Sequence, residues 1–233
     1  MRNSVACSVC EVKECPILQS CSDNWIEKLS ELKHTSHYKP DQNIVHENNP
    51  VMGLYFIYDG IAKIFSTGIN NKTQVVRLTK TGGIIGHRGF GGDKYPIGAT
   101  ALTECTICFI DNKTIFDAFM ENPKLTFALM MYYSKELRNS EAKIKNLAQM
   151  NVREKVADGL IYVNTIFNEH NENNQINISR KDLADLIGIN TEQLSRNLSE
   201  FKKENLIEIN QNQIELTNLE ALNNMISPFQ YIY

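Results

Sequence analysis

The chain has 233 residues and a formal net charge of −3 at pH 7, with 42% hydrophobic and 22% charged residues. These values are typical of a globular protein with one or two domains. No apolar run approaches the ~18 residues of a membrane helix, and the first residues lack the apolar stretch of a signal peptide. We therefore expect a cytoplasmic protein with no membrane partner.

The N-terminal residues are rich in cysteine. The stretch CSVCEVKECPILQSC contains Cys7, Cys10, Cys15 and Cys21, four of the six cysteines of the chain. Disulfides are disfavoured in the reducing cytoplasm, so a metal site is the leading interpretation of this spacing. Four reduced thiols without a cofactor are the alternative.

Beyond the cysteines, the sequence predicts one short helix and then a set of strands. Apolar residues at helical spacing indicate a helix over 23–32. Short β-branched and aromatic runs follow, and the pair Asp59-Gly60 signals a hairpin turn. Evenly spaced short strands of this kind predict an antiparallel barrel or jelly roll. The predicted strands cover 54–60, 61–68, 73–80 and 99–110.

A long helix is predicted from Pro123 to about Met150. A helix of ~27 residues is about 40 Å long, which is more than one small domain needs. Its apolar residues step by three and four along a narrow stripe, the pattern of a coiled-coil seam. We interpret the stripe as a contact between two copies of the chain; a helix packed on its own domain is the alternative. The stripe consists of Met130, Tyr133, Leu137, Ser140, Ile144 and Leu147.

The segment 178–207 has the signals of two helices joined by a tight turn. Ser179 with Asp182 three residues later predicts the start of the first helix, and Gly188 predicts its end. Asn190 with Gln193 predicts the cap of the second helix, at 191–203. This is the pattern of a helix-turn-helix, and the following hairpin over 206–216 would form a wing.

The second of these helices has an exposed side suited to reading DNA. Arg pairs with guanine, Glu accepts from cytosine, and Ser pairs with several base edges. Basic side chains nearby can meet phosphates. A purely structural helical hairpin is the alternative. The predicted base-reading residues are Thr191, Glu192, Ser195, Arg196 and Ser199, and the predicted phosphate contacts are Arg180, Lys181, Lys202 and Lys203.

The charge of the C-terminal part is unusual for a DNA-binding segment. From Met150 onward there are seven basic and twelve acidic residues, a balance of −5. Specific DNA binding should therefore be weak to moderate at physiological salt and should fall steeply as salt rises. A nonspecific architectural role is disfavoured for the same reason.

These parts, in this order, resemble the CRP/FNR family of transcription regulators. The run LYFIYDGIAKIF is similar to the family's barrel hairpin, and the run EQLSR from Glu192 to Arg196 matches the E-x-x-S-R recognition motif of its FNR branch. The resemblance implies an α+β fold with an antiparallel β jelly roll of the cyclic-nucleotide-binding type, a dimerisation helix and a winged helix-turn-helix. The four parts would be a cysteine-rich segment (1–22), a sensor domain (23–122), the dimerisation helix (123–150) and a DNA-binding domain (151–233).

The same resemblance implies the partners of the protein. Members of this family bind DNA as homodimers and act on RNA polymerase, so we expect one palindromic operator for two copies of the chain. In the FNR branch the half-site is TTGAT-like, and it would be read by Glu192, Ser195 and Arg196. We expect no binding of cyclic AMP. The family's cyclic-nucleotide pocket uses a Glu and an Arg-Ser pair, and here His87-Arg88 and Tyr95-Pro96 stand near those positions.

The FNR branch holds a [4Fe–4S] cluster with three N-terminal cysteines and one cysteine of the barrel. By this resemblance the ligands would be Cys7, Cys10, Cys15 and Cys108, the complement of four thiolates that such a cluster takes. The spacing before Cys15 is one residue shorter than usual for the family, and Cys21 is extra. Cys105 competes with Cys108, but residues three apart on a strand point to opposite faces, so only one can serve.

Other interpretations of these residues remain open. A structural zinc could be held by the four N-terminal cysteines without the barrel. A haem could use His34, His37 or His46, and a regulator with no cofactor could respond to another small ligand. An oxygenase of the cupin type needs a set of His and carboxylate ligands on strands, and the barrel region offers only His46 and His87, so we do not expect an enzyme.

Overall fold

The computed structural model describes residues 6–168, 174–211 and 213–229. All six cysteines lie in these ranges and are free thiols. No helix in the described ranges is both long and apolar enough to span a membrane.

The described residues form two compact units. The first contains residues up to 72 together with 76–134, and the second contains 73–75 together with residues from 135 onward. Eight strands lie between residues 34 and 111. They are β1 (His34–Tyr38), β2 (Asn43–Val45), β3 (Gly53–Asp59), β4 (Ile61–Thr67), β5 (Thr73–Lys80), β6 (Ile84–Ile85), β7 (Gly98–Ala101) and β8 (Cys105–Asp111).

These strands form two four-stranded sheets, with the orders β1-β8-β3-β6 and β2-β7-β4-β5. The pairs β1/β8, β3/β8, β3/β6, β2/β7 and β4/β7 are antiparallel. Both sheets contribute apolar side chains to one shared core, which includes Ile57 and Ile107 from one sheet and Ile64 and Ala99 from the other. The predicted antiparallel β domain is therefore confirmed.

Two details of the strand prediction were wrong. The run 99–110, predicted as one strand, is divided into β7 and β8, which belong to different sheets. The chain turns between them because the backbone N–H of Ile61 donates to Oγ1 of Thr103 at 2.8 Å, while the N–H groups of Leu102 and Thr103 donate to the Ile61 carbonyl.

The second error concerns Asp59-Gly60, which was expected to join two paired strands. β3 and β4 lie in different sheets, so the turn carries the chain from one sheet to the other. Gly60 has φ of +101°, and a Cβ at this position would lie 2.3 Å from the carbonyl oxygen of Glu104. Glycine is therefore required by the turn, whichever strands it connects.

Four helices accompany the sheets: α1 (Pro16–Ser20), α2 (Asp23–Leu32), α3 (Asn112–Glu121) and α4 (Pro123–Gln149). Helix α2 has the predicted bounds. A second apolar core joins these helices to the outer face of the β1-β8-β3-β6 sheet, and it includes Trp25, Leu29, Phe56, Ile110 and Ile115. This core fixes the N-terminal segment against β8.

The C-terminal elements are α5 (Val152–Phe167), β9 (Gln175–Asn177), α6 (Arg180–Ile187), α7 (Thr191–Lys203), β10 (Ile207–Asn210), β11 (Gln213–Leu216) and α8 (Leu219–Ile226). The strands form a sheet of order β10-β11-β9. Leu160, Leu183, Leu194 and Phe201 are fully buried between the helices. The helix-turn-helix and its wing are confirmed, and α7 has the predicted bounds.

Candidate functional site

The turn between α6 and α7 is held by the side chains that the sequence indicates. Oγ of Ser179 accepts from the N–H of Asp182 at 3.0 Å, which caps α6. Gly188 ends α6 with φ of +69°. Oδ1 of Asn190 accepts from the N–H of Gln193 at 2.8 Å, and Oε1 of Gln193 accepts from the N–H of Asn190 at 3.5 Å. This reciprocal cap fixes where α7 begins.

Helix α7 separates a buried side from an exposed side. Leu194, Leu198 and Phe201 are buried, and the side chains between them face outward. The hydroxyl of Ser195 donates to the carbonyl of Thr191 at 2.8 Å. The predicted base-reading residues Thr191, Glu192, Ser195, Arg196 and Ser199 are all exposed on this side.

The predicted phosphate contacts differ in exposure. Lys181, Lys202 and Lys203 are exposed, whereas Arg180 is half-buried, and its Nη1 is buried without a hydrogen-bond partner. Burial lowers the pKa of Arg180 from its usual value. Arg180 is consequently less available to a phosphate than the three lysines.

Sequence reasoning missed Arg153, which lies on α5 and holds the C-terminal end of α7. Its guanidinium lies 4.7 Å from the centre of the Phe201 ring. It pairs with the carboxylate of Glu204 and lies 3.8 Å from that of Glu200. The sequence around Arg153 gives no indication that this residue contacts a helix about fifty residues away.

The cysteine residues of the N-terminal segment meet β8 at one cavity. Cys7 lies in a short 3₁₀ turn, and Cys15 is the residue immediately before α1. Together with Cys10 and with Cys108 of β8, they line a cavity of about 30 Å³. Cys21 lies at the other end of α1 and packs against the apolar core.

Cys105 and Cys108 point to opposite sides of β8. Cys105 is buried in the core shared by the two sheets, where its Sγ donates to the Ile61 carbonyl at 3.3 Å. Cys108 faces the N-terminal segment and lines the cavity. The alternation of a strand accounts for this difference.

A basic side chain that sequence reasoning did not single out also lines the cavity. Lys33 follows α2 directly, is only 7% exposed, and places Nζ 3.6 Å from Sγ of Cys108. Burial lowers the pKa of Lys33, but the sulfurs of Cys108 and Cys7 outweigh that effect, so the pKa is raised overall.

Burial dominates the ionisation of three thiols of the N-terminal segment. It raises the pKa of Cys7, although Lys33 opposes the shift. It raises the pKa of Cys15 to about 11 and that of Cys21 to about 11. These groups are therefore thiols rather than thiolates at neutral pH unless a cation binds them.

The four thiols around the cavity fit an iron–sulfur cluster in type and in number, because such a cluster takes four cysteine ligands. Among the described residues, however, no three His, Cys, Asp or Glu side chains lie in an arrangement that could hold a metal ion. The four thiols therefore match the ligands of a cluster in the type of donor atom and in lining one cavity. The histidines considered for haem, His34, His37 and His46, are exposed and do not line this cavity.

The predicted stripe on α4 is largely exposed. Met130, Leu137 and Ile144 are 56%, 61% and 67% exposed and are spaced by seven residues. The other three members are bonded or partly covered within the chain, and Ser140 is half-buried. The hydroxyl of Tyr133 donates to the carbonyl of His87, and Leu147 is half-buried. The neighbouring residues Phe127 and Met131 are exposed and were not predicted.

His87 and Tyr95, which the sequence resemblance places near the family's cyclic-nucleotide pocket, are both buried. His87 is buried against Tyr132 and Tyr133, and burial, with Arg77 and Arg88 nearby, lowers its pKa to about 3. The hydroxyl of Tyr95 donates to the Gly53 carbonyl at 2.8 Å.

Comparison with known proteins agrees with both units. The family model described as "Cyclic nucleotide-binding domain" matches residues 35–122, and "Crp-like helix-turn-helix domain" matches residues 154–225. The "Fumarate and nitrate reduction regulatory protein" of Vibrio cholerae is 22% identical over 219 residues, which are 92% of this chain and 88% of the relative. The protein of that name from Escherichia coli K12 is 21% identical, over 94% of this chain and 89% of the relative.

Solved structures show the same fold. FixK2 from Bradyrhizobium japonicum has a TM-score of 0.74 at 20% identity, covering 83% of this chain and 96% of its own. TTHA1359 of Thermus thermophilus, a CRP/FNR family regulator, has a TM-score of 0.72 at 19% identity, covering 83% and 98%. A domain of the cyclic-nucleotide-binding type followed by a Crp-like helix-turn-helix defines a DNA-binding transcription regulator. The chain belongs to the CRP/FNR family.

Proposed function

We propose that this regulator is a cytoplasmic homodimer that senses oxygen or redox state through a [4Fe–4S] cluster bound by Cys7, Cys10, Cys15 and Cys108. The observation that carries the proposal is that these thiols, from two distant segments of the chain, line one cavity. When bound, the cluster would supply an oxygen-labile link between the N-terminal segment and β8. The similarity to two proteins named fumarate and nitrate reduction regulatory protein supports an assignment to the FNR branch of the family.

Hydrogen bonds within the chain connect the segment that lines this cavity to the start of α4. The N–H of Ser22, just after α1, donates to Oδ1 of Asn122 at 3.0 Å. Nε1 of Trp25 donates to Oε2 of Glu121 at 2.9 Å. Asn122 is the residue before α4, so the position of the N-terminal segment bears directly on where α4 starts.

The exposed stripe on α4 supports a contact with a second copy of the chain. Met130, Leu137 and Ile144 have the spacing of one heptad position and are left uncovered in a single chain. A dimer would present two α7 helices to half-sites about 34 Å apart on DNA, so a small change at α4 would alter affinity.

For DNA recognition, we propose that Glu192, Ser195 and Arg196 read a TTGAT-like half-site. Their exposure on the first turns of α7 and the chemistry of base pairing support this assignment. RNA polymerase would be the partner through which binding affects transcription. We also propose the domain division 1–22, 23–122, 123–150 and 151–233. It follows the order of the cysteine-rich segment, the β-sheets, α4 and the helix-turn-helix along the chain.

Anaerobic purification tests the sensor. We expect iron and acid-labile sulfide in about equal amounts, a visible absorption band that fades in air, and tighter binding of a TTGAT palindrome before air exposure than after. Protein containing neither iron nor sulfide would contradict the proposal. Bound zinc with no iron would support a structural site of the four N-terminal cysteines, and DNA binding that requires cyclic AMP would indicate a nucleotide sensor.

A further inference from the structure

Three amide side chains form a row across the tip of the wing. In the β10-β11-β9 sheet, Asn210 lies opposite Gln213, and Gln213 lies opposite Asn177. Directly opposite residues of antiparallel strands point to the same face of a sheet. All three residues are exposed, whereas Ile214 and Ile176, the next pair in register, are buried on the other face. Asn177, Asn210 and Gln213 are called the amide row.

The wing is anchored to the C-terminal end of α7. The N–H of Leu206 donates to the Phe201 carbonyl at 2.9 Å, and the N–H of Thr217 donates to the Leu206 carbonyl at 3.1 Å. These bonds hold both ends of the hairpin at the end of the helix. Lys202 and Lys203 are exposed there. The wing therefore starts where α7 is expected to meet the DNA backbone.

The sequence of the wing sheet contains no basic residue. Neither 206–216 nor 175–177 includes Lys or Arg. Two residues inward from the amide row, Glu208 lies opposite Glu215, and Oε2 of Glu215 accepts from Nε2 of Gln175 at 3.2 Å. These carboxylates would repel DNA phosphates, so only the tip of this face suits a contact with DNA.

An amide row can bind DNA without charge. Asn and Gln donate through their NH₂ groups to phosphate oxygens and to the acceptor atoms that A·T pairs present in the minor groove. Neighbouring strands lie ~4.8 Å apart, so the row is about 10 Å long. This is the length of about three base pairs at ~3.4 Å each. The row lines an open groove of about 620 Å³, so its amides are accessible to a large partner.

We propose that the amide row contacts the DNA beside each half-site through uncharged hydrogen bonds, and so extends recognition beyond the bases that α7 reads. The inference rests on the proposed reading of DNA by α7, but not on the cluster or on the sequence of the half-site. Uncharged donors release no counterions, so this contact adds affinity that is independent of salt.

The test uses the operator that the anaerobically purified protein selects from a random DNA pool, flanked by A·T or by G·C pairs. Fluorescence anisotropy at several salt concentrations gives the affinity and its salt slope. We expect the double variant Asn210→Ala, Gln213→Ala to bind about tenfold or more weakly with an unchanged slope. Gln213→Lys should bind more tightly and steepen the slope by about one for each wing on the DNA.

The matched controls change an exposed amide of α8, a helix that packs on α5 in the same unit. Asn224→Ala and Asn224→Lys should both leave the affinity and the slope as in the wild type. Every variant should retain the thermal midpoint of the wild type, because the replaced side chains are exposed.

Unchanged affinity in the double variant, or an unchanged slope in Gln213→Lys, would overturn the inference. A loss in the double variant that comes with a shallower slope would also overturn it, because charged groups would then carry the contact. A loss that is larger with A·T flanks assigns the amides to the minor groove, and an equal loss with both flanks assigns them to phosphates.

Arg196→Ala, measured on the same DNA, separates this inference from the proposed function. Loss of half-site preference in Arg196→Ala with no effect of the wing variants would keep the role of α7 and remove that of the amide row. Retained preference in Arg196→Ala together with the expected effects of the wing variants would do the reverse.

Discussion

The side-chain amide of Asn122 joins two parts of the first unit that are far apart in sequence. Its Oδ1 accepts from the N–H of Ser22 at 3.0 Å, and its Nδ2 donates to the Ala118 carbonyl at 2.9 Å. Asn122 thus ties the end of the cysteine-rich segment to the junction between α3 and α4.

Replacing Asn122 with Ala should uncouple the sensor from DNA binding. We expect normal iron content but a much smaller ratio between anaerobic and aerobic affinity for the operator, measured by mobility shift. The lost contacts should also reduce the free energy of unfolding by about 1–3 kcal/mol. Thr126→Val is the control, since it removes a hydrogen bond to Phe119 at the same junction without touching Ser22. An unchanged affinity ratio in Asn122→Ala would rule out this path.

The two cysteines of β8 provide a matched pair of variants. Cys108→Ala removes a thiol that lines the cavity, and it should reduce iron and sulfide to a small fraction of the wild-type content. Cys105→Ala removes a thiol buried on the other face and should leave the iron content unchanged. Equal loss in both variants would show that the strand, and not the individual thiol, determines cluster binding.

Arg196 and Lys203 should contribute to DNA binding in different ways. Arg196→Ala is expected to cost about 1–3 kcal/mol and to relax preference at the G·C pair of the half-site. Lys203→Ala should weaken binding equally across sequences and reduce the salt slope by about one. Fluorescence anisotropy with operator and scrambled DNA at several salt concentrations measures both. Sequence preference retained in Arg196→Ala would mean that other residues of α7 read the base pair.

A negative charge in the α4 stripe should prevent dimer formation. Leu137→Glu places a carboxylate at an exposed apolar position, and in a dimer seam it would lie in a desolvated contact. We expect monomers by sedimentation velocity and loss of operator binding. Phe116→Glu makes the same kind of change on the exposed side of α3 and should leave the dimer intact. A dimeric Leu137→Glu protein would place the interface elsewhere.

Buried His87 should make the protein less stable in mild acid. Its pKa is lowered from 6.5 to about 3, so between these values the unfolded chain binds a proton that the folded chain does not. The free energy of unfolding should therefore fall below pH 6.5 by up to about 1.4 kcal/mol per pH unit. Urea titrations of His87→Phe should show a shallower fall, whereas the exposed control His46→Phe should behave as wild type. Parallel curves for all three proteins would exclude His87 as the cause.

Features decided by neighbouring residues could be predicted from the sequence. The caps at Ser179 and Asn190 and the left-handed Gly188 gave the bounds of α7 because each acts within about four residues. The turn at Asp59-Gly60 was also recognised, but its strands were assigned to one sheet because a glycine turn carries no information about distant partners.

Features decided by distant contacts could not be predicted. The break between β7 and β8 depends on a hydrogen bond between Thr103 and Ile61. The burial of Lys33 depends on a strand 75 residues away, and an isolated lysine after a helix gives no sign of it. The candidate ligands were found through family resemblance, whereas the cation among them required the structure.

The contacts of Arg153 affect how the DNA-sequence preference of α7 can change during evolution. With Phe201, Glu200 and Glu204 engaged by this side chain, the C-terminal part of α7 serves the internal packing of its unit. The exposed side chains of the first turns, Glu192, Ser195 and Arg196, contribute little to that packing. Substitutions there could redirect the protein to a different operator at little thermodynamic cost, so new regulatory targets would be accessible through single mutations that leave the fold intact.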